Sequence, residues 1–285
     1  MTTTLRPSTP ETRTPDGGYA RAYDICVNSR PIGAVRLSTD ERQGPGVGRL
    51  AGLVVHERER RRGRGTVAAL AAEEVLRGWG CARVETSVPF PEPPDAGAQA
   101  APGLLETLGY RERNRNMVKE LREPPALPDG TAVRPMTEEE FPAWWEGGRE
   151  LFVRSRAEYG DSPERCGQLY DEARRAQLPD GVATRGTALR VLTHRGAEVG
   201  TIWVSLSAPG HRADADAWVY DVEVRQDRRG EGHGRSLMLL AERECLAAAR
   251  GRLGLNVYAY NTRARSLYES LGYREVERYY TKPLV

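Results

Sequence analysis

The sequence predicts an α/β fold that is laid down twice along the chain. Residues 218–273 read as strand, glycine-rich turn, helix, strand and helix in succession. The turn's signature, Arg229-x-x-Gly232-x-Gly234, recurs upstream as Arg60-x-x-Gly63-x-Gly65. The closing signature, Glu269-Ser-Leu-Gly-Tyr273, recurs as Glu106-Thr-Leu-Gly-Tyr110. Two matching motifs in the same order and at so long a period mean two copies of one domain, not a solenoid.

The opening residues, 1–18, are rich in Thr and Pro and read as a disordered tail before a first domain over 19–121. They have no apolar centre and are not a signal peptide. Residues 19–27 and 32–37 are β-type runs around a hairpin turn, Asn28-Ser29-Arg30-Pro31. A polar loop, 38–48, leads to a strand over 49–55. After the first glycine turn, Val67, Leu70, Ala71 and Val75 fall at helical spacing, and Gly78 and Gly80 can end that helix. A strand over 84–88, a Pro-rich loop over 89–98 and the Leu104–Tyr110 motif complete the unit.

Residues 122–130 form a Pro-rich, semi-rigid linker to a second domain over 131–285. That domain opens with a strand over 131–135. Thr137-Glu-Glu-Glu140 resembles a capping box and starts a helix over 141–159. A second helix begins at Ser162-Pro163-Glu164 and ends near Asp180-Gly181. Strands over 189–193 and 199–205 flank the turn His194-Arg195-Gly196. The 218–273 stretch follows, and residues 273–284 supply closing strands.

Composition narrows the function. The chain has 285 residues, enough for one large or two modest domains, and an apolar fraction of 39%, enough for packed cores. Its 42 basic residues nearly balance 40 acidic ones, and a net charge of +2 argues against a general nucleic-acid binder. The basic residues are nearly all Arg, which we read as the codon bias of a GC-rich genome. Cys26, Cys81, Cys166 and Cys245 are dispersed, so neither a disulfide framework nor a zinc site is expected. The four His are scattered, and no metal is assigned. No apolar run is long enough to span a bilayer, and a reducing cytoplasm is the expected location.

The glycine turn is where the chemistry gathers. Glycines at 230, 232 and 234 let the backbone approach a ligand closely, and the helix that follows aims unpaired N–H groups and its positive dipole end at the same place. Phosphate suits such a pocket. A Walker loop would need Gly-Lys-Ser/Thr where Gly234-Arg235-Ser236 stands, and the glycines are too closely spaced for a Rossmann fingerprint. The pattern Arg229-x-x-Gly232-x-Gly234, followed by Asn261…Ala264…Leu267-Tyr268-Glu269…Leu271-Gly272-Tyr273, resembles the GNAT superfamily of acetyl-CoA-dependent N-acetyltransferases.

The resemblance implies two GNAT-like domains, each a mixed, mostly antiparallel sheet flanked by helices. The second is complete; the first is truncated, without the opening strand and both opening helices. It implies acetyl-CoA as cosubstrate, held by Val222, Val224, Arg229, Gly230, Gly232, His233, Gly234, Arg235, Asn261 and Arg265. The backbone N–H of Val224 is the family's donor to the thioester carbonyl. Tyr268 stands where the family protonates the departing thiolate, a task within reach of a phenol with pKa of about 10.

Asp221 and Glu223 share one strand face by simple alternation, opposite Trp218, Tyr220, Val222 and Val224. Paired carboxylates beside a phosphate turn suit acid/base work, because repulsion raises the pKa of one of them. Glu223 is the expected base, with Asp221 assisting or gripping a cationic acceptor. Trp144-Trp145 could line the acceptor pocket or pack one ring in the core.

In the first copy, Gly52 and Val54 stand in place of Asp221 and Glu223, Leu105 in place of Tyr268 and Ala98 in place of Asn261. The phosphate turn is kept, giving a second cofactor site at Val55, Arg60, Gly63, Arg64, Gly65 and Thr66 without acid/base groups. The reading is therefore a tandem-GNAT N-acetyltransferase, a monomer or homodimer, with the active site in its second copy. The arrangement resembles that of the mycothiol synthases. A thiol-precursor amine, an amino sugar or an antibiotic are open as acceptors. A non-catalytic acyl-CoA-binding protein and a protein or peptide N-acetyltransferase are the rival readings.

Overall fold

The computed structural model describes residues 2–14, 17–39, 46–93, 96–208, 210 and 212–284. Parts of the expected loops over 38–48 and 89–98 lie outside these. The chain divides into two compact units, Met1–Asn114 with Glu277–Val285, and Arg115–Val276.

Unit one begins with β1 (Thr3–Pro7), β2 (Thr12–Arg13), β3 (Tyr19–Val27) and β4 (Arg30–Thr39). The stretch expected as a disordered tail is thus partly strand. Thr3 to Pro7 pairs antiparallel with Val27 to Tyr23, which covers an edge that β3 would otherwise leave open. The first copy accordingly has an opening strand; what it lacks, among the described residues, is the pair of opening helices. The β3–β4 turn carries Asn28 at φ 48° and Ser29 at φ 67°, the two positive values that a tight hairpin turn requires.

β5 (Val47–Val55), α1 (Arg64–Gly78), β6 (Arg83–Pro89) and α2 (Ala96–Thr107) follow. The helix α2 extends further back than the Leu104 motif suggested, and it accommodates Pro102. The sheet runs β1-β3-β4-β5-β6 and is closed by residues 277–283 of the last strand, which pair antiparallel with β6. Tyr23, Val35, Leu37, Leu76 and Val84 form its core with Tyr280.

The units divide within β7 (Arg111–Glu120), not at the Pro-rich linker. Unit two continues with β8 (Thr131–Pro135), α3 (Phe141–Ala157), α4 (Pro163–Gln177), β9 (Thr187–His194) and β10 (Ala197–Ser205). Then come β11 (Ala217–Val224), α5 (His233–Ala247), β12 (Arg252–Tyr258), α6 (Thr262–Ser270) and β13 (Arg274–Pro283). One ten-residue strand, β13, replaces the expected pair of closing strands. The sheet order is β7-β12-β11-β10-β9-β8; β11 and β12 pair in parallel, and from β11 to β8 each neighbouring pair is antiparallel. The capping box is present: Thr137 N–H donates to Glu140 at 2.8 Å, and Glu140 N–H to the Thr137 hydroxyl at 3.3 Å.

The strand after each Leu-Gly-Tyr motif serves the other copy's helix. Lys119 on β7 pairs with Glu242 of α5 at 2.7 Å, and Lys282 on β13 pairs with Glu73 of α1 at 2.7 Å. Both carboxylates are buried, and these are the chain's only lysines. No helix among the described residues is long and apolar enough to cross a membrane.

Candidate active site

The site forms where β11 leaves its neighbours. Trp203 of β10 pairs with Asp221, but the next residue, Val204, pairs with Val219. Tyr220 is the extra residue of a β-bulge. The bulge resets the alternation assumed from sequence. Ala217, Val219, Val222 and Val224 all pack in the core against Leu237 and Met238 of α5. Trp218 and Tyr220 join other clusters, with Val118 and Val276 and with Trp145 and Trp203 respectively.

The other neighbour, β12, pairs with β11 only over Ala217 to Val219. Beyond that point the two parallel strands splay. Arg225 N–H donates to Val199 on β10 at 3.0 Å. Peptide groups alternate along a strand, so those of Val224 and Val222 point the opposite way, into the splay.

The glycine turn lies at the foot of this gap. Gly230 and Gly232 adopt φ of 96° and 91°, values a side chain would strain, and Gly232 caps α5. A Cβ added at Gly232 would meet nothing within 4 Å, so the space over the turn is clear. Arg229 is tied back to the Val224 carbonyl at 3.3 Å and Arg235 to the Ser270 hydroxyl at 2.6 Å. Both are held in place beside the turn. This is a fit for a pyrophosphate group: an open cradle, a helix N-terminus and anchored guanidinium groups.

A cavity of about 720 Å³ joins the turn to the carboxylates. Asp221, Glu223 and Tyr268 line it, as do Val222, Val224, Arg229, Gly230, Gly232, His233, Gly234, Arg235 and Asn261. Arg265 does not; it faces Glu269 at 3.6 Å along α6. Arg263, one helical turn's start away, lines the cavity instead. Asn261 caps α6, accepting from Ala264 N–H at 3.1 Å. His233 is buried, with Nε2 3.2 Å from Glu231.

Asp221 is the electrostatic centre. Burial first, and then the Glu223 charge, push its carboxyl up to about 6. The indole of Trp144 opposes this by donating to Asp221 at 3.2 Å. Trp144 thus supports the site from behind, while Trp145 is core. Burial, with Asp221 adding to it, pushes the Tyr268 phenol up to about 12. It is a hydrogen-bond donor at neutral pH.

The sequence reading missed one wall. Phe152, Tyr170, Trp203 and Tyr220 line the cavity from α3, α4, β10 and β11, and Tyr258 and Tyr260 line it from the end of β12. Only the sheet and helix packing bring these rings together. Their spacing along the chain carries no motif.

The first copy's turn has the same local geometry. Arg60 Nε donates to the Val55 carbonyl at 2.9 Å, as Arg229 does to Val224, and Gly63 caps α1 at φ 70°. A Cβ on Gly65 would lie 3.3 Å from Leu104, and one on Gly234 would lie 3.3 Å from Leu267. Arg61, in place of Gly230, holds a positive φ of 59°. Arg64 donates to the Thr3 hydroxyl at 3.2 Å, and Thr66 opens α1.

Comparison with known proteins decides the family. The model of the acetyltransferase (GNAT) family matches residues 4–100 and 139–273. The chain belongs to the GNAT acetyltransferase family. Both copies fall within the match, so it is a tandem GNAT protein and an acyltransferase. It is 26% identical over 154 residues to the uncharacterized N-acetyltransferase YycN of Bacillus subtilis, covering 53% of this chain and 97% of that protein. It is 32% identical over 153 residues to the mycothiol acetyltransferase of Thermobispora bispora. That match covers 52% of this GNAT protein and 48% of the relative, so the chain spans about half of that relative's length. The crystal structure of a GCN5-related N-acetyltransferase from Sphaerobacter thermophilus shares the fold, with a TM-score of 0.55 at 21% identity over 92% of this chain and 80% of that one. Among the described residues there is no group of three or more His, Cys, Asp or Glu able to hold a metal ion.

Proposed function

We propose that this protein transfers an acetyl group from acetyl-CoA to a small-molecule primary amine by direct attack, in the cavity of unit two. The observation that carries the reading is the meeting, in one cavity, of an open glycine turn with Asp221, Glu223 and Tyr268.

Gly230, Gly232, Gly234 and the start of α5 hold the pyrophosphate, with Arg229 and Arg235 adding charge. The splay between β11 and β12 admits the extended arm of the cosubstrate, and the Val224 N–H donates to the thioester oxygen as negative charge develops there. Acetyl-CoA itself supplies the activated acyl carbon. Glu223, exposed to the lumen, takes a proton from the incoming ammonium, directly or through water, and Asp221 holds the cation beside it. The amine nitrogen then forms the amide as the carbon–sulfur bond breaks, and the nitrogen's second lost proton balances the one gained by the thiol.

Tyr268 donates a hydrogen bond to the departing sulfur. With its phenol at about 12 and a thiol at about 8.5, full transfer is uphill by about 5 kcal/mol before ligands bind. Stabilisation of the thiolate, followed by protonation from solvent, is the consistent role. Unit one keeps a turn of the same form at Val55, Arg60, Gly63, Arg64, Gly65 and Thr66 but has Gly52 and Val54 for its carboxylates, so it is a non-catalytic half.

Thiol release from acetyl-CoA, measured with a panel of amines, tests the reading. Wild type should turn over, and Glu223→Gln and Tyr268→Phe should each slow it. Equal rates in all three proteins would remove these assignments. Native mass spectrometry counts the cosubstrate: one per chain makes unit one a scaffold, and two make it a second binding site.

A further inference from the structure

We infer that the acceptor is a primary amine carried on a flat, apolar body, the chemistry of an arylalkylamine, rather than a polyhydroxylated amino sugar. The inference rests on acetyl transfer in this same cavity, and it names the class of amine.

The argument begins with the rings. Phe152 and Tyr170 have centroids 5.3 Å apart, and Trp203 and Tyr220 4.7 Å apart. Trp145 joins the pairs from behind, 4.3 Å from Tyr170 and 5.9 Å from Trp203. The result is one continuous aromatic wall. Facing into the same cavity are Tyr258 and Tyr260, stacked at 5.4 Å and 14°. Leu151 lies at the cavity too and is 49% exposed, an apolar side chain left in water unless something apolar covers it.

Set in this wall are two carboxylates and little else that is strongly polar. Away from the glycine turn and Arg263 beside it, the polar side-chain groups are Asp221, Glu223, Asn261, which caps α6, the indole N–H of Trp203, the tyrosine hydroxyls and Ser155. Ser155 is already committed to Tyr260, at 2.8 Å. Trp144 takes part of Asp221's capacity from behind. A sugar would bring several hydroxyls, each of which costs stability if buried without a partner. A flat apolar body needs no such partners and stacks or packs edge-on against the rings. Its ammonium gains twice, from the carboxylates by charge and from Tyr220, Tyr170 and Trp203 by cation–π attraction.

The experiment is calorimetric titration of the full chain, loaded with CoA, with 2-phenylethylamine, tryptamine and glucosamine, alongside thiol release from acetyl-CoA with the same amines. The expected result is a Kd for the two arylalkylamines at least about tenfold below that for glucosamine, the same order in kcat/KM, and a loss of the preference in Phe152→Ala. A milder variant, Phe152→Leu, replaces it if the alanine protein does not fold. Glucosamine binding as tightly as the arylalkylamines would overturn the inference. So would turnover confined to glucosamine, which would leave acetyl transfer intact. Selective arylalkylamine binding without turnover would uphold the pocket's chemistry and overturn the transfer reading instead.

Discussion

The indole N–H of Trp144 donates to Oδ2 of Asp221 at 3.2 Å, linking the first helix of unit two to the strand that carries the carboxylates. The bond favours the charged carboxylate and so opposes the burial that raises its pKa. Trp144→Phe keeps the ring and removes the donor. Asp221 should then titrate above its present value of about 6, and the acidic limb of the pH profile of kcat/KM should move to higher pH. A profile identical to wild type would mean that Asp221 does not govern that limb.

Asp221 also links pH to stability. Its folded pKa is raised above the unfolded value, so the folded state holds the proton more tightly. Stability from this group is present below a pH of about 4 and is lost as pH rises to about 6. Asp221→Asn removes the penalty. The variant should be more stable than wild type at pH 8, by roughly 1–3 kcal/mol, with the gap closing by pH 4, while its turnover falls. Urea titrations at the two pH values measure this.

The buried ion pairs give a second stability test. Lys119→Met leaves Glu242 buried without its ammonium, at a cost of about 3–5 kcal/mol. Lys282→Met should cost less, because Arg77 lies 4.0 Å from Glu73 and remains after the substitution. Replacing Glu242 with Gln alongside Lys119→Met should recover much of the loss, since the uncompensated charge goes with it. Denaturant midpoints of the three variants would show the order.

The turn can be tested without touching the carboxylates. Gly232→Ala places a side chain at φ 91°, where an L-residue is strained by about 1–2 kcal/mol. Its Cβ meets no neighbour, so the loss comes through the backbone alone. KM for acetyl-CoA should rise roughly tenfold, with less change in KM for the amine. An unchanged KM for acetyl-CoA would separate the turn from the cosubstrate.

Much of the site was legible because motif chemistry is local. The turn needs glycine at Gly230 and Gly232 for backbone reasons that hold wherever the segment sits. The capping Asn261 and the capping box at Thr137–Glu140 satisfy helix ends within a few residues of themselves. The repeat, the family and the carboxylate pair followed from such short-range patterns. The cavity does bring Asp221 and Glu223 together beside the turn, but burial raises the Asp221 carboxyl more than repulsion does, and alternation put Tyr220 on the wrong face. A single-residue bulge leaves no mark in the hydrophobic pattern on its two sides.

The amino-acid sequence by itself determined the two copies, their order, the glycine turns and which carboxylates stand beside the second of them. These depend on residue type and on spacings shorter than one element. Only the tertiary structure decided that residues 277–285 complete unit one, that Thr3–Pro7 covers an edge, and that β11 parts from β12 beyond Val219. It alone placed Phe152, Tyr170, Trp203 and Tyr220 in one wall. Strand pairing and ring packing join residues tens to hundreds of positions apart, and their free energy is realised only when the whole sheet is assembled.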